Sequence, residues 1–143
     1  MIQANEGKRS LARYALAGLW ASVPMGAAAM MLALAVGMGF FDPLRLIASV
    51  LLGTAALSGT GPVGVGLAVH MMTGAVLGAV YGLAVEPRLN SYYVGLVYGV
   101  LVWIAATLVL ALFAPIFTER MPHGLFAMAH VVYGLALAAL LRR

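Results

Sequence analysis

Two histidines, His70 and His130, are the side chains in this sequence with the widest choice of chemistry, because each lies inside a long apolar run. The run around His70 follows Pro62 and reaches Val85 without a formal charge, and the run around His130 follows Pro122. Imidazole can hydrogen-bond, bind a metal or carry a proton near neutral pH. An ionisable side chain in hydrocarbon is costly unless another group meets it, so each histidine predicts a polar contact.

Three hypotheses account for this pair. In the first, the imidazoles donate hydrogen bonds across helix contacts, to backbone carbonyls, to Thr73, to Tyr133 or to each other, as polar side chains in membranes often do. In the second, His70 and His130 are the two axial ligands of the iron of a b-type haem. Gly74 and Gly134, one helical turn further along, would leave room for the flat macrocycle.

The third hypothesis is a proton or ion path, for which a group that titrates near neutral pH is suitable. The apolar runs contain no Asp, Glu, Lys or Arg to continue such a path. His123 follows Pro122 at a predicted helix start, and we expect it at the membrane interface. The sequence has no phosphate-binding loop, HExxH motif or GxSxG motif, and the spans lack paired carboxylates, so we do not expect an enzyme.

The composition is that of a membrane protein. Of the 143 residues, 64% are hydrophobic and 8% are charged, whereas soluble domains carry roughly a quarter charged residues. The absence of cysteine removes disulfides, thiolate metal sites and cysteine nucleophiles. The formal charge of +4 comes from basic residues at the two ends of the chain, which fits control of membrane topology and not nucleic-acid binding.

Small residues recur at a spacing of four in several apolar runs. Such residues share one face of a helix and allow another backbone to approach closely. The residues that we expect at helix contacts are Gly18, Ser22, Gly26, Gly66, Gly74, Gly78, Gly82, Gly95 and Gly99.

The apolar runs predict four membrane-spanning helices, over about 12–38, 62–85, 91–114 and 122–141. Pro24 lies inside the first helix and predicts a kink there. Residues 43–57 are apolar but too short for a comfortable crossing, and we expect a re-entrant or interfacial half-helix. The basic residues then favour cytoplasmic termini, with the short polar turn at residues 86–90 on the same side and Arg45 and Arg120 opposite. The long first apolar run is expected to be a retained helix and not a signal peptide.

An offset of 60 residues aligns the third apolar segment with the last without a gap. Pro62 then matches Pro122 and His70 matches His130, in a chain with only six prolines and three histidines. We interpret this as a parallel 2+2 internal repeat, with an axis along the membrane normal and both imidazoles at similar depth. Residues 1–143 form one domain: 1–61 with the first helix and the half-helix, 62–85 with the first histidine, and 91–143 as the second repeat.

The segment from His70 through Gly74 and Gly78 to Gly82, together with a Gly/Ala-rich opening helix, resembles the small YagU-like membrane proteins of prokaryotes. The resemblance implies a multi-pass protein of the inner membrane and carries over no site residue.

The sequence therefore predicts an all-α integral membrane protein in contact with lipid and with other membrane subunits or with copies of itself. We expect a non-catalytic accessory subunit of a larger complex, respiratory or photosynthetic, since the haem hypothesis points to electron transfer. A haem b electron carrier and a small transporter or channel are the alternatives.

Overall fold

The computed structural model describes the backbone of residues 2–85 and 89–142, and the side chains of residues 11–85 and 89–142. Throughout these residues the regular structure is helical. The helices are α1 (Ile2–Ala35), α2 (Asp42–Leu52), a 3-10 helix (Gly53–Leu57), α3 (Gly61–Ala84), α4 (Tyr92–Phe113), α5 (Pro115–Arg120) and α6 (His123–Leu141).

Four of these helices are long and apolar enough to cross a membrane: Leu11–Ala35 within α1, and α3, α4 and α6. The predictions of an all-α fold and of four spanning segments are confirmed to that extent. In the helix α6 44% of the apolar window is buried, compared with 11% in α4. The last helix is therefore the central element of the bundle, and α4 lies at its edge.

The long helices form two antiparallel pairs, α1 with α3 and α4 with α6. In the first pair Gly18 lies against Gly78 and Gly26 lies against His70. Residue numbers therefore increase along α1 in the direction in which they decrease along α3. Contacts between α1 and α6 join the two pairs. Because α1 and α3 run in opposite directions, residues 42–57 connect two helix ends on the same side of the bundle.

The two ends of the bundle have separate cores. At the Tyr14 end, which also holds Val85, Ser91 and Leu141, a cluster of six buried residues joins α1, α3 and α6: Ala17, Ala21, Tyr81, Tyr133, Leu137 and Leu141. At the Arg45 end, where α2 and α5 lie, the buried cluster comprises Ala33, Leu46, Ala114, Phe117, Met121 and Leu125. The short helices thus extend the core beyond the four long ones.

Two prolines lie at positions that affect the helices. Pro115 follows the end of α4 at Phe113 and starts α5, where its fixed φ and missing N–H suit the first turn; no helix was predicted between the last two spans. Pro24 leaves the carbonyl of Trp20 without its helical donor, yet α1 is one continuous helix through it. Ser22 does not replace that donor, because its Oγ donates to the Gly18 carbonyl at 3.0 Å. Of the predicted turn, Glu86, Pro87 and Arg88 lie outside the described residues.

The contact between α1 and α3 can be tested with two alanine substitutions on the same helix. A Cβ at Gly78 would overlap the backbone of Tyr14 and Gly18, whereas a Cβ at Gly64 has nothing within 4 Å. We expect Gly78→Ala to destabilise the detergent-solubilised protein by about 1–3 kcal/mol, as overpacking does. Thermal unfolding followed by circular dichroism measures the change. Gly64→Ala is the control, and equal melting of both variants would contradict this packing.

Candidate functional site

The seam between α1 and α3 brings two backbones into direct contact around Gly18 and Gly74. A Cβ added to Gly18 would overlap the Gly74 carbonyl, and one added to Gly74 would overlap Ser22 Oγ. Gly78 meets the backbone of Gly18, and Gly82 faces the ring of Tyr14. Small residues at a spacing of four on both helices make this approach possible.

His70 lies at the end of this seam and is bonded to the opposite helix. Its Nε2 is 2.9 Å from the carbonyl oxygen of Ser22. Since a carbonyl only accepts, Nε2 is the donor and Nδ1 of the neutral ring carries the lone pair. Gly26 makes room for the ring, because a Cβ there would be 3.1 Å from His70 Nε2. Gly66, another of the small residues spaced four apart, faces the Leu44 carbonyl of α2.

A second seam joins α4 to α6. Cβ atoms at Gly95 and Gly134 would each overlap the carbonyl of the other residue, and a Cβ at Gly99 would overlap the His130 carbonyl. Gly95 also lies against Ala138, as Gly18 lies against Gly78 in the first seam. All nine small residues predicted at helix contacts therefore lie against a neighbouring helix within this chain.

His130 lies in the second seam but is bonded within its own helix. Its Nδ1 is 2.8 Å from the Phe126 carbonyl, so Nδ1 donates and Nε2 carries the lone pair. The Phe126 ring packs edge-on against the imidazole at 4.4 Å between centroids. The residue is only 4% exposed. Both histidines thus meet backbone carbonyls, the contact proposed in the first hypothesis, but only His70 bonds to a different helix.

Two tyrosines make the polar contacts between the helix pairs. The buried Tyr133 hydroxyl on α6 donates to the Gly74 carbonyl on α3 at 2.7 Å, and Tyr98 on α4 donates to the Leu77 carbonyl on α3 at 2.6 Å. Tyr133 was predicted only as a partner for histidine, and Tyr98 was not predicted at a helix contact. The available signal was a phenol inside an apolar span, which needs an acceptor when buried.

Asn90 closes the Tyr14 end of the bundle. Its Oδ1 accepts a hydrogen bond from the Tyr81 hydroxyl at 2.6 Å, and its Nδ2 donates to the Ala138 carbonyl at 3.2 Å. The Tyr81 and Tyr98 rings pack edge to face at 4.9 Å. A residue expected only in a polar turn therefore links α3 to α6.

The four residues of the haem hypothesis do not form an open slot. The space beside Gly74 is filled by Ser22, the space beside Gly134 is filled by Gly95, and His70 Nε2 is bonded to Ser22. A flat macrocycle would have to separate both seams and break that bond, so this arrangement does not fit the group. Within residues 11–85 and 89–142, no three His, Asp or Glu side chains come together as a metal site.

The exposed His123 begins α6, at the helix start where we expected it.

The tyrosine contact can be tested by removing one oxygen. Tyr133→Phe keeps the ring but leaves the Gly74 carbonyl without this donor, and we expect a loss of roughly 0.5–1.5 kcal/mol in unfolding free energy. Denaturant unfolding in detergent measures it. Tyr93→Phe is the matched control, because Tyr93 is 75% exposed. If both variants unfold like the parent, the hydroxyl of Tyr133 contributes nothing to the bundle.

Comparisons of the chain with protein-family models, with curated proteins and with solved structures found no match. The likeness to the YagU-like proteins therefore rests on the sequence pattern alone.

Proposed function

We propose that this protein is a non-catalytic, membrane-embedded accessory subunit that binds other membrane helices. The observation that carries the proposal is where its polar side chains are used. Ser22, His70, Tyr98, His130 and Tyr133 each hydrogen-bond a backbone carbonyl of the chain itself. His70, Tyr98 and Tyr133 bond to a different helix and so hold helices together, whereas Ser22 and His130 bond within their own helix. All five groups are engaged in this way and are poorly placed to act on a substrate.

The proposed docking surface is the outer face of α4. Val97, Leu101, Ile104 and Leu108 are 38–64% exposed and are spaced four, three and four residues apart. This spacing is that of a coiled-coil seam, which packs knobs into holes on a partner helix. The glycine rows are already used inside the chain, so we assign docking to this larger apolar row instead.

We further propose that the protein lies in a prokaryotic inner membrane with both ends in the cytoplasm. Six of the eight basic residues fall at the Tyr14 end if the terminal segments and residue 88 lie there, and Arg45 and Arg120 fall at the other end. The positive-inside rule then orients the Tyr14 end to the cytoplasm. In this orientation α2 and the 3-10 helix form the re-entrant or interfacial half-helix.

We also propose that the chain is a parallel 2+2 internal repeat. Support comes from matching contacts in the two seams. Gly95 packs against Gly134 and Ala138 in the second seam, as Gly18 packs against Gly74 and Gly78 in the first. The bond from Tyr133 to Gly74 joins residues 59 apart, close to the offset of 60 that aligns the two histidines. The two copies have diverged at the histidine position, because His70 bonds to the opposite helix and His130 bonds within its own.

The orientation can be tested cleanly because the chain has no cysteine. Ser58 is exposed at the Arg45 end and Leu89 at the Tyr14 end. In intact inverted-membrane vesicles, we expect a membrane-impermeant maleimide to label Leu89→Cys and to leave Ser58→Cys unlabelled until detergent is added. Right-side-out vesicles should give the reverse pattern. Equal labelling of both positions from one side would refute the topology.

The docking surface can be tested by alanine substitution on α4. We expect the protein, extracted in mild detergent, to migrate in an assembly heavier than its 14.9 kDa chain. Leu101→Ala with Leu108→Ala should release the chain from that assembly, because the truncated side chains would leave voids in a helix contact that depends on tight packing. Size-exclusion chromatography with light scattering measures the mass.

The control pair is Leu16→Ala with Leu34→Ala, two exposed leucines on α1, which should leave the assembly intact. A stable lone monomer in every mild detergent would contradict the accessory role. An absorption spectrum of the same material tests the haem alternative: a Soret band lost in His130→Ala would favour an electron carrier over the proposal made here.

A further inference from the structure

A cavity of about 260 Å³ opens at the Arg45 end of the bundle, where α1, α2, the 3-10 helix and α5 meet. Its apolar lining comes from Met38, Leu46 and Leu57, and its charged lining comes from Asp42, Arg45 and Arg120. The cavity is separate from the two seams and takes no part in the contacts of His70 or His130. The guanidinium groups of Arg45 and Arg120 both line this space.

The acid in this cavity is already neutralised. Asp42 Oδ2 accepts from the Gly39 N–H at 2.7 Å, and Oδ1 accepts from Arg45 at 3.0 Å. Arg45 also donates through Nε to the Gly59 carbonyl at 3.1 Å, so its guanidinium is held in place by two partners. A fixed guanidinium loses less conformational freedom on binding a ligand than a mobile one.

Arg120 supplies the excess charge. The structure gives this residue neither an ion pair nor a side-chain hydrogen bond among the described residues, and its neighbour Glu119 is exposed and does not line the cavity. One carboxylate and two guanidinium groups leave a charge of +1 on the lining. A cation would be repelled there. An anion would instead meet Arg45, whose guanidinium is already held in place, and Arg120, whose side chain can adapt to it.

The segments that line this cavity also carry exposed apolar side chains. Phe40 and Phe41, before α2, and Leu51, near its end, are 38–65% exposed, an exposure of large apolar side chains that membrane contact would cover. Arginine at the level of the headgroups, with apolar residues beside it, is the usual arrangement for contact with lipid phosphate.

We propose that this cavity binds a phosphate group carried by an amphipathic molecule, with Arg45 and Arg120 contacting the phosphate oxygens. Guanidinium groups match phosphate through paired, charge-assisted hydrogen bonds. Met38, Leu46 and Leu57 contact the adjoining carbon skeleton. The volume accommodates a headgroup and not a whole lipid, so acyl chains would lie outside along the exposed face of α2. The same chemistry would admit a free phosphate ester from water, and the two sources are separated by experiment.

The test is native mass spectrometry of the full chain in detergent, with three probes added separately: dioleoylphosphatidylglycerol, dioleoylglycerol and inorganic phosphate. We expect the phospholipid to bind, and dioleoylglycerol, which has the same chains without phosphate, to bind much more weakly. Arg120→Gln should weaken phospholipid binding at least about tenfold, the effect of losing a charge-assisted contact. If inorganic phosphate binds as tightly as the phospholipid, the ligand is a soluble phosphate compound and the amphipathic part of the proposal is overturned.

Two variants control this experiment. Arg13→Gln removes an exposed arginine at the opposite end of the bundle and should leave phospholipid binding unchanged. Leu57→Trp fills the cavity without altering any charge and should reduce binding as Arg120→Gln does, so the proposal does not depend on one substitution. Equal binding of phospholipid and dioleoylglycerol, or binding unchanged in both Arg120→Gln and Leu57→Trp, would overturn it.

Discussion

The close approach of backbones at two glycine seams is the contact on which the rest of this bundle depends. In hydrocarbon, apolar side chains gain little by touching each other instead of lipid, so helices associate through tight packing and hydrogen bonds. Gly18 against Gly78 and Gly95 against Gly134 supply that packing, because a side chain at any of these positions would overlap the opposite backbone. Each seam makes an antiparallel pair, and α6 then holds the pairs together.

The seams also determine what the polar side chains can do. Once the backbones are this close, the carbonyls of Ser22, Gly74 and Leu77 come within reach of His70, Tyr133 and Tyr98. A buried hydroxyl or imidazole without a partner costs free energy, and these carbonyls provide partners at no loss of helical structure, since each oxygen has a second lone pair. The chemistry that the sequence offers inside the membrane is therefore used in assembly of the bundle.

The sequence predicts the small-residue rows and the number of spans, because a spacing of four and a length of about 20 apolar residues have direct geometric meaning. It does not predict which row meets which, since Gly18, Gly74 and Gly95 are equivalent until the helices are placed. The sequence does not predict the acceptors of Tyr98 and Tyr133 either, because they are backbone carbonyls, which every residue has. The space expected beside Gly74 and Gly134 holds Ser22 and Gly95 in the structure, because a missing side chain admits another helix as readily as a flat ligand.

The two ends of the bundle differ in how they are closed, and that difference locates the remaining polarity. At the Tyr14 end, Asn90 joins α3 to α6 with both polar atoms of its side chain, which leaves a compact polar plug. At the Arg45 end, α2 and α5 fill the corner with the Leu46 and Phe117 cluster and leave a charged cavity beside it. His70, Tyr98, His130 and Tyr133 inside the spans are engaged with backbone carbonyls, whereas Arg120 has no side-chain hydrogen bond among the described residues. If this chain recognises a small ligand, the physical argument therefore places that recognition at the membrane surface and not in the middle of the bilayer.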